Sequence, residues 1–357
     1  MNPSSRGLTA LMVAGAALVA LALWVSSRST STGTAAANAP VLPGLEHGVN
    51  AITQVKLVKG DGTHATLEKR AADWIVAERG YPADSSRVRK LLLDLASLKV
   101  LEEKTSDPAS YPEIGVEDVT SAKATGTRID LVEPGKSVGL IVGKLSGNDG
   151  TFVRVAGTKQ SALASPQLTP DADPRRWLDS TLIELPQNRI KQVAVTPASG
   201  PGYTVTRSSA KEADFSVPNL PKGRELMSAS APDSVAGALA SLNLDDVRKA
   251  GGAVSDTAHA TFQTFDGLTV DVTGHKDGDS RYIALTAQST EKSTADEAKE
   301  LNARLGGWDV EIPGYQYDAI FQPLDELLKK PEAKPVKAAA HSKGHKDSKS
   351  APKKTAA

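Results

Sequence analysis

Ile52-Thr53-Gln54-Val55-Lys56-Leu57 and Ile190-Lys191-Gln192-Val193 open two runs of the chain that read alike. In the first, apolar and polar residues alternate, the period of a strand with one buried face. Gly60-Asp61-Gly62 then marks a hairpin turn, and Ala65–Lys69 and Trp74–Ala77 supply two more strands. Asp84 or Ser85 can cap a helix on which Val88, Leu91, Leu92, Leu95 and Leu98 form one apolar face. After a loop around Pro108–Gly115, strands return at Thr127–Val132, Ser137–Val142 and Thr151–Val155. From Ile190 the order starts again. Tyr203–Arg207 and Asp214–Val217 read as strands, Asp233-Ser234-Val235 opens a helix with Leu239, Leu242 and Leu244 on its face, and His259–Phe265, Leu268–Gly274 and Arg281–Ala287 close the run. The pattern predicts an α+β fold of two tandem α+β repeats, each an antiparallel sheet with one main helix.

Beyond the second run, Ala295–Leu305 reads as a short helix and Gly306–Tyr315 as a strand with aromatic ends. A final helix carries Ile320, Phe321, Leu324, Leu327 and Leu328, and Pro323 must start its main segment or kink it. Composition fits this plan. The chain has 357 residues, with 42 Lys+Arg against 42 Asp+Glu and aromatics at only 4%. Its cores must therefore lean on Val, Ile and Leu. At roughly 150 residues per domain, two domains is the expectation.

The N-terminus carries a different signal. Gly7–Ser27 is uncharged, and Leu8–Val25 (LTALMVAGAALVALALWV) is almost wholly apolar. At about 1.5 Å per residue the uncharged run Gly7–Ser27 spans about 31 Å, close to the hydrocarbon thickness of a bilayer. A cleaved signal peptide competes with this reading. Its best small-x-small site, Ala37-Asn38-Ala39, would leave Pro40 as the first mature residue. A short N-terminus ahead of a large polar body favours a single-pass signal anchor in the inner (cytoplasmic) membrane, N-in, with the body in the periplasm. The expected layout is residues 1–28 as membrane anchor, 29–50 as flexible linker, 51–170 as first repeat, 171–189 as connector, 190–330 as second repeat with its C-terminal helix, and 331–357 as a disordered basic tail. That tail holds seven lysines against two acids.

Most chemistry-bearing motifs fail. With no cysteine, disulfides, thiol catalysis and Cys-ligated metals are excluded. Of the six histidines, only His341 and His345 have an HxxxH spacing, and they fall in the tail. Gly139-Leu140-Ile141-Val142-Gly143-Lys144 lacks the spacing, the following Ser or Thr, and the strand-to-helix setting of a phosphate loop. Asn148-Asp149-Gly150 and Asp277-Gly278-Asp279 lack the closing Glu of a calcium loop and read as hairpin turns. No G-x-S-x-G occurs. The expectation is a protein that is not an enzyme, without cofactor or metal, and, at net zero charge, without nucleic acid as partner. The residues singled out for interaction are Trp74, Trp308 and Tyr315, together with Arg175, Arg176 and Trp177 in Asp171-Ala172-Asp173-Pro174-Arg175-Arg176-Trp177-Leu178. Isolated aromatics in patterned strands usually point inward, so packing roles compete with contact roles.

The runs ITQVKL…TLEKRAADWIV, YPADSSRVRKLLLDLASLKVLEEKTSDP and LNARLGGWDVEIPGYQYDAIFQPLDELLKK make the chain similar to the domain-of-unknown-function family 4340. The likeness covers about Ala51–Leu328 and is most specific at Asp73–Leu98 and Gly306–Tyr315. It implies a membrane-anchored extracytoplasmic protein encoded beside the permease and auxiliary subunits of a gliding-motility-type ABC export system. No catalytic residues come with it. The expected function is thus a non-enzymatic periplasmic accessory protein of an ABC-type transport or cell-envelope complex, with permease and auxiliary subunits as partners. The alternative is an envelope glycan- or lipid-binding module, with its ligand held in the cleft between the repeats.

Overall fold

The computed structural model describes residues 38–330 apart from residue 121, residues 148–149 and residues 252–255. The anchor run Leu8–Val25 and the basic tail 331–357 lie outside the described residues. Within them no helix is long and apolar enough to cross a membrane.

The fold is mixed α+β with antiparallel sheets and few, mostly short helices. The first sheet has nine strands: β1 Gln54–Lys59, β2 His64–Arg70, β3 Asp73–Val76, β4 Tyr81–Pro82, β5 Lys99–Glu103, β6 Thr127–Glu133, β7 Lys136–Ser146, β8 Gly150–Val155 and β9 Ser161–Ser165. Their order is β4-β3-β2-β1-β6-β7-β8-β9-β5. A pair of short strands follows, β10 Thr181–Ile183 with β13 Leu242–Asn243. The last sheet combines β11 Ile190–Thr196, β12 Tyr203–Thr206, β14 Asp246–Lys249, β15 Ala258–Thr264, β16 Leu268–Asp277, β17 Ser280–Ser289 and β18 Trp308–Glu311. Its order is β12-β11-β15-β16-β17-β18-β14. Read from the outside in, both sheets place their first strand beside the strand that follows the loop, and both end on the strand that follows a helical segment.

Alternation sets these registers. Val55 and Leu57 of β1 are buried between the more exposed Gln54 and Lys56, and Val193 and Val195 of β11 repeat the pattern. A one-residue slip would turn each set to the other face. Among the described residues there are seven α-helical segments: α1 Leu45–Gly48, α2 Ser85–Ala96, α3 Tyr111–Ile114, α4 Asp233–Ala236, α5 Lys292–Leu305, α6 Gly314–Ile320 and α7 Leu324–Leu327. Asp84 caps α2, accepting from the amides of Ser86 (2.9 Å) and Arg87 (3.0 Å). Val88, Leu91, Leu92 and Leu95 face inward, as the spacing predicts. One contiguous core takes residues from both large sheets. A satellite of Tyr111, Val116 and Ile141 lies under α3.

Five expectations are corrected. The strand read over Gly306–Tyr315 is Trp308–Glu311 alone, and the single final helix is two, α6 ending at Ile320 and α7 starting behind Pro323. The helix read from Asp233 through Leu244 is one turn, α4. Asp233 does not cap it. Its Oδ1 accepts the amide of Phe215 (2.9 Å), Gly237 follows at once, and Leu242 is taken into β13. Glycine costs about 1 kcal/mol in a helix interior, so the segment has little to extend it. Next, Asp214–Val217 is no full strand: a single bridge, Thr206 to Ser216, joins it to β12. Finally, the linker reading of 29–50 fails from Asn38 onward. Val41, Leu42 and Leu45 are buried, and the amides of Asn38 and Val41 donate to the carbonyls of Val100 (2.7 Å) and Leu98 (2.9 Å). Polar composition hid three apolar anchors.

Candidate functional site

The two large sheets meet around the connector Asp171–Leu178, where sequence reading placed Arg175, Arg176 and Trp177. Residues Pro174–Trp177 form a 3₁₀ turn. Asp173 accepts the amide of Arg175 (3.0 Å), and Pro174 sits where a first-turn amide would have no partner. The Arg175 guanidinium folds back on the Asp173 carboxylate at 2.6 Å. That hydrogen bond holds Asp173 below the ordinary carboxylate range. Trp177 is buried, and its indole N–H donates to the carbonyl of Asp171 (2.7 Å). The connector then pairs with β4 and its extension. The amide of Asp84 donates to Trp177 (2.8 Å), that of Asp179 to Pro82 (3.0 Å), and Ala83 bridges Leu178.

Two open cavities of about 500 Å³ and about 510 Å³ flank this connector. Arg87 and Arg176 line both, and Arg87 Nη1 donates to the Arg176 carbonyl between them. The first cavity is walled by Asp84, Arg175, Asn243, Asp245 and Glu311. The second is walled by Lys90, Asp94, Gln167 and Asp171. Burial, reinforced by the charge of Glu311, pushes Asp245 above its ordinary value. The other charges mostly answer one another: Arg175 with Asp173, Arg176 with Asp171 at 3.7 Å, and Lys90 with Asp94 at 2.6 Å.

Beside the cavities the junction is closed. Arg79, in the turn before β4, makes a bidentate pair with Asp246 of β14, at 2.6 and 2.8 Å. The pair raises the pKa of Arg79. Tyr81 is fully buried, with its ring edge-on to Trp308 at 5.2 Å. Its hydroxyl has no hydrogen-bond partner among the described residues, and burial pushes it up to about 12. Trp308 also carries the Lys249 ammonium 3.4 Å from its ring centroid. On the outer side of β14, Arg248 lies 3.7 Å over Tyr282, which stacks on the buried His275. Asp309 approaches Arg248 at 3.5 Å and His275 at 3.9 Å.

Of the six interaction candidates, the structure brings Arg175, Arg176, Trp177 and Trp308 to the junction. Trp74 is buried in β3, and Tyr315 on α6 is 74% exposed. Sequence reading missed Arg79, Arg87 and Asp246, which hold the junction. A signal for it existed. Leu95-Ala96-Ser97-Leu98-Lys99-Val100 and Leu239-Ala240-Ser241-Leu242-Asn243-Leu244 are nearly the same string. Aligning them sets Asp246 opposite Glu102 and marks the strand edge that Arg79 meets.

Among the described residues no group of three or more His, Cys, Asp or Glu could hold a metal ion. The arrangement joins and braces two sheets, and presents a polar, doubly hollowed rim around two arginines.

A family model described as domain of unknown function (DUF4340) matches residues 74–264. No curated protein and no solved structure matches the chain.

Proposed function

We propose, for a chain that belongs to the DUF4340 family, the role of a non-enzymatic accessory protein of an ABC-type transport or cell-envelope complex. On this reading Leu8–Val25 anchors the protein in the inner membrane, N-in, and the body stands in the periplasm. The anchor rests on the length and apolarity of that run. The association with permease and auxiliary subunits rests on the family likeness. The two sheets are read as two copies of one α+β unit, a reading supported by their matching strand order.

The observation that carries the non-enzymatic part is the state of the charged groups at the junction. Arg79, Arg175, Arg176 and Lys90 are each paired with a carboxylate, and the Trp177 ring is enclosed. Of these pairs, Arg79–Asp246 joins the two sheets and the others are local to the connector and its neighbouring helix; cations held by carboxylates do not stand ready to move a proton or attack a carbonyl. A closed core between the sheets likewise favours a rigid body that offers its surface to a partner over a cleft that engulfs a ligand. The glycan- or lipid-binding alternative keeps one supporting observation, the two cavities beside Arg87 and Arg176.

The test is a pull-down of the full chain from detergent-solubilised membranes, with a Leu8–Val25 deletion as control. Recovery of permease and ATPase subunits is the expected result. Retention on purified cell-wall or lipid fractions, with no protein partner, overturns it in favour of the binding module.

A further inference from the structure

The backbone pairing that joins the two sheets has counterparts at both ends of the described residues. At the far end of the second sheet, the amide of Met227 donates to Leu327 (2.8 Å), that of Lys329 donates to Glu225 (2.9 Å), and Leu226 bridges Leu328. This repeats, bond for bond, the contacts of Asp84 with Trp177, Asp179 with Pro82, and Ala83 with Leu178. The lead-in is similar: a helical turn that starts at a proline in Pro174–Trp177 and directly after one, Pro323, in Leu324–Leu327. The matching turns carry Gly80 at φ 64° and Gly223 at φ 75°. Lys222 therefore stands where Arg79 stands in the first unit, and it is exposed.

The near end of the first sheet offers the complementary edge. There the amide of Val100 donates to Ala39 (2.9 Å) and Pro40 bridges Lys99. In the second unit the amide of Leu244 donates to Ser180 (2.9 Å) and Thr181 pairs with Asn243. Counting on from Val100 and Leu244, Glu102 of β5 takes the place of Asp246. Glu102 is 62% exposed, with Lys104 at 2.7 Å as its present partner. Beside it Leu101 is 41% exposed, and at the other end Met227 is 60% exposed, both high for large apolar side chains.

We propose that copies of this chain associate head to tail, the second-unit end of one copy meeting the β5 edge of the next as the two units meet within a chain. Lys222 of one copy then faces Glu102 of the next, as Arg79 faces Asp246. The proposal rests on reading the two sheets as copies of one unit. Opposite charges at the two free ends fit that contact, and a heterologous contact of this kind leaves a further end open with each copy added. The membrane-partner reading does not depend on it.

The experiment uses the purified full chain in detergent, mixed half and half in ¹⁴N and ¹⁵N forms. A zero-length carbodiimide joins ammonium to carboxylate only at contact, and mass spectrometry reads the joined peptides. The expected product is a mixed-isotope Lys222–Glu102 link; any Lys104–Glu102 link within a chain is of one isotope. Sedimentation should give a mass rising with concentration. K222E or E102K alone should weaken association roughly tenfold or more, since like charges then face each other, and the K222E/E102K chain should recover it. A chain that stays monomeric, inter-chain links that leave out both residues, or a charge swap that fails to restore association overturns the proposal.

Discussion

Residues 95–100 and 239–244 spell almost the same string, yet one closes a twelve-residue helix and the other follows a single turn. Both place their leucines in the core: Leu95, Leu98, Leu239 and Leu242 are all buried to within 1% exposure. Both then enter a strand paired with the segment that leads its unit, residues 38–41 in the first case and β10 in the second. What the two stretches share is the buried slot each leucine fills. The helix that delivers it does not persist. The long helix of the second sheet lies elsewhere: in α5, Asn302 clamps Ala287 of β17 through both of its main-chain groups, at 2.8 and 2.7 Å.

If the slot governs, Leu95→Ala and Leu239→Ala should cost alike, about 2–5 kcal/mol each, as core truncations do. Urea unfolding of the two variants measures this. A cost for Leu239→Ala below about 1 kcal/mol would break the equivalence. A second comparison concerns close approach. A side chain added at Gly143 of β7 would strike the Ile114 carbonyl of α3, and one at Gly274 of β16 would strike the Phe321 ring. Alanine at either site should destabilise by about 1–3 kcal/mol. Gly143→Ala should cost more, because a carbonyl in a turn yields less readily than an aromatic ring.

The two aspartates that open the helical segments differ in what they hold. Asp84→Ala removes a helix cap, about 1 kcal/mol, and should lower the helical signal in circular dichroism. Asp233→Ala strips the amide of Phe215 of its acceptor. It should destabilise by a similar amount and leave that signal unchanged. A drop in helicity for Asp233→Ala would mean that α4 is a helix held by its cap after all.

The strands of each sheet were legible where apolar residues alternate in long runs, as in β1, β6, β11 and β16. The closing strands β5 and β14 were not: β5 is exposed at nearly every position, and β14 carries Asp, Arg and Lys. Their pairing is fixed by partners far along the chain, which no local period records. The same holds for the junction. Arg175, Arg176 and Trp177 stood out because they cluster in sequence. Arg79 and Asp246 lie far apart in sequence and meet only through the fold. The shared Leu-Ala-Ser-Leu string was the one clue that would have aligned the units closely enough to find them.

The smallest expected effect compares two carboxylates on one cavity. Asp173, on the connector, is lowered by its hydrogen bond to Arg175. Asp245, on the second unit, is raised by burial and then by Glu311. A lowered carboxylate stabilises the fold above its unfolded pKa, and that contribution is lost as pH falls through the folded value. A raised one costs nothing below its unfolded pKa, and its penalty grows as pH rises through the folded value. Asp173→Asn should therefore weaken the protein at pH 7, with the deficit closing below about pH 4. Asp245→Asn should strengthen it at pH 7, with the gain vanishing over the same range. Both groups are partly open to solvent, so screening keeps the effects modest. Unfolding at several pH values reads the signs. If both variants shift stability the same way at pH 7, the two walls of the cavity are not electrically opposed.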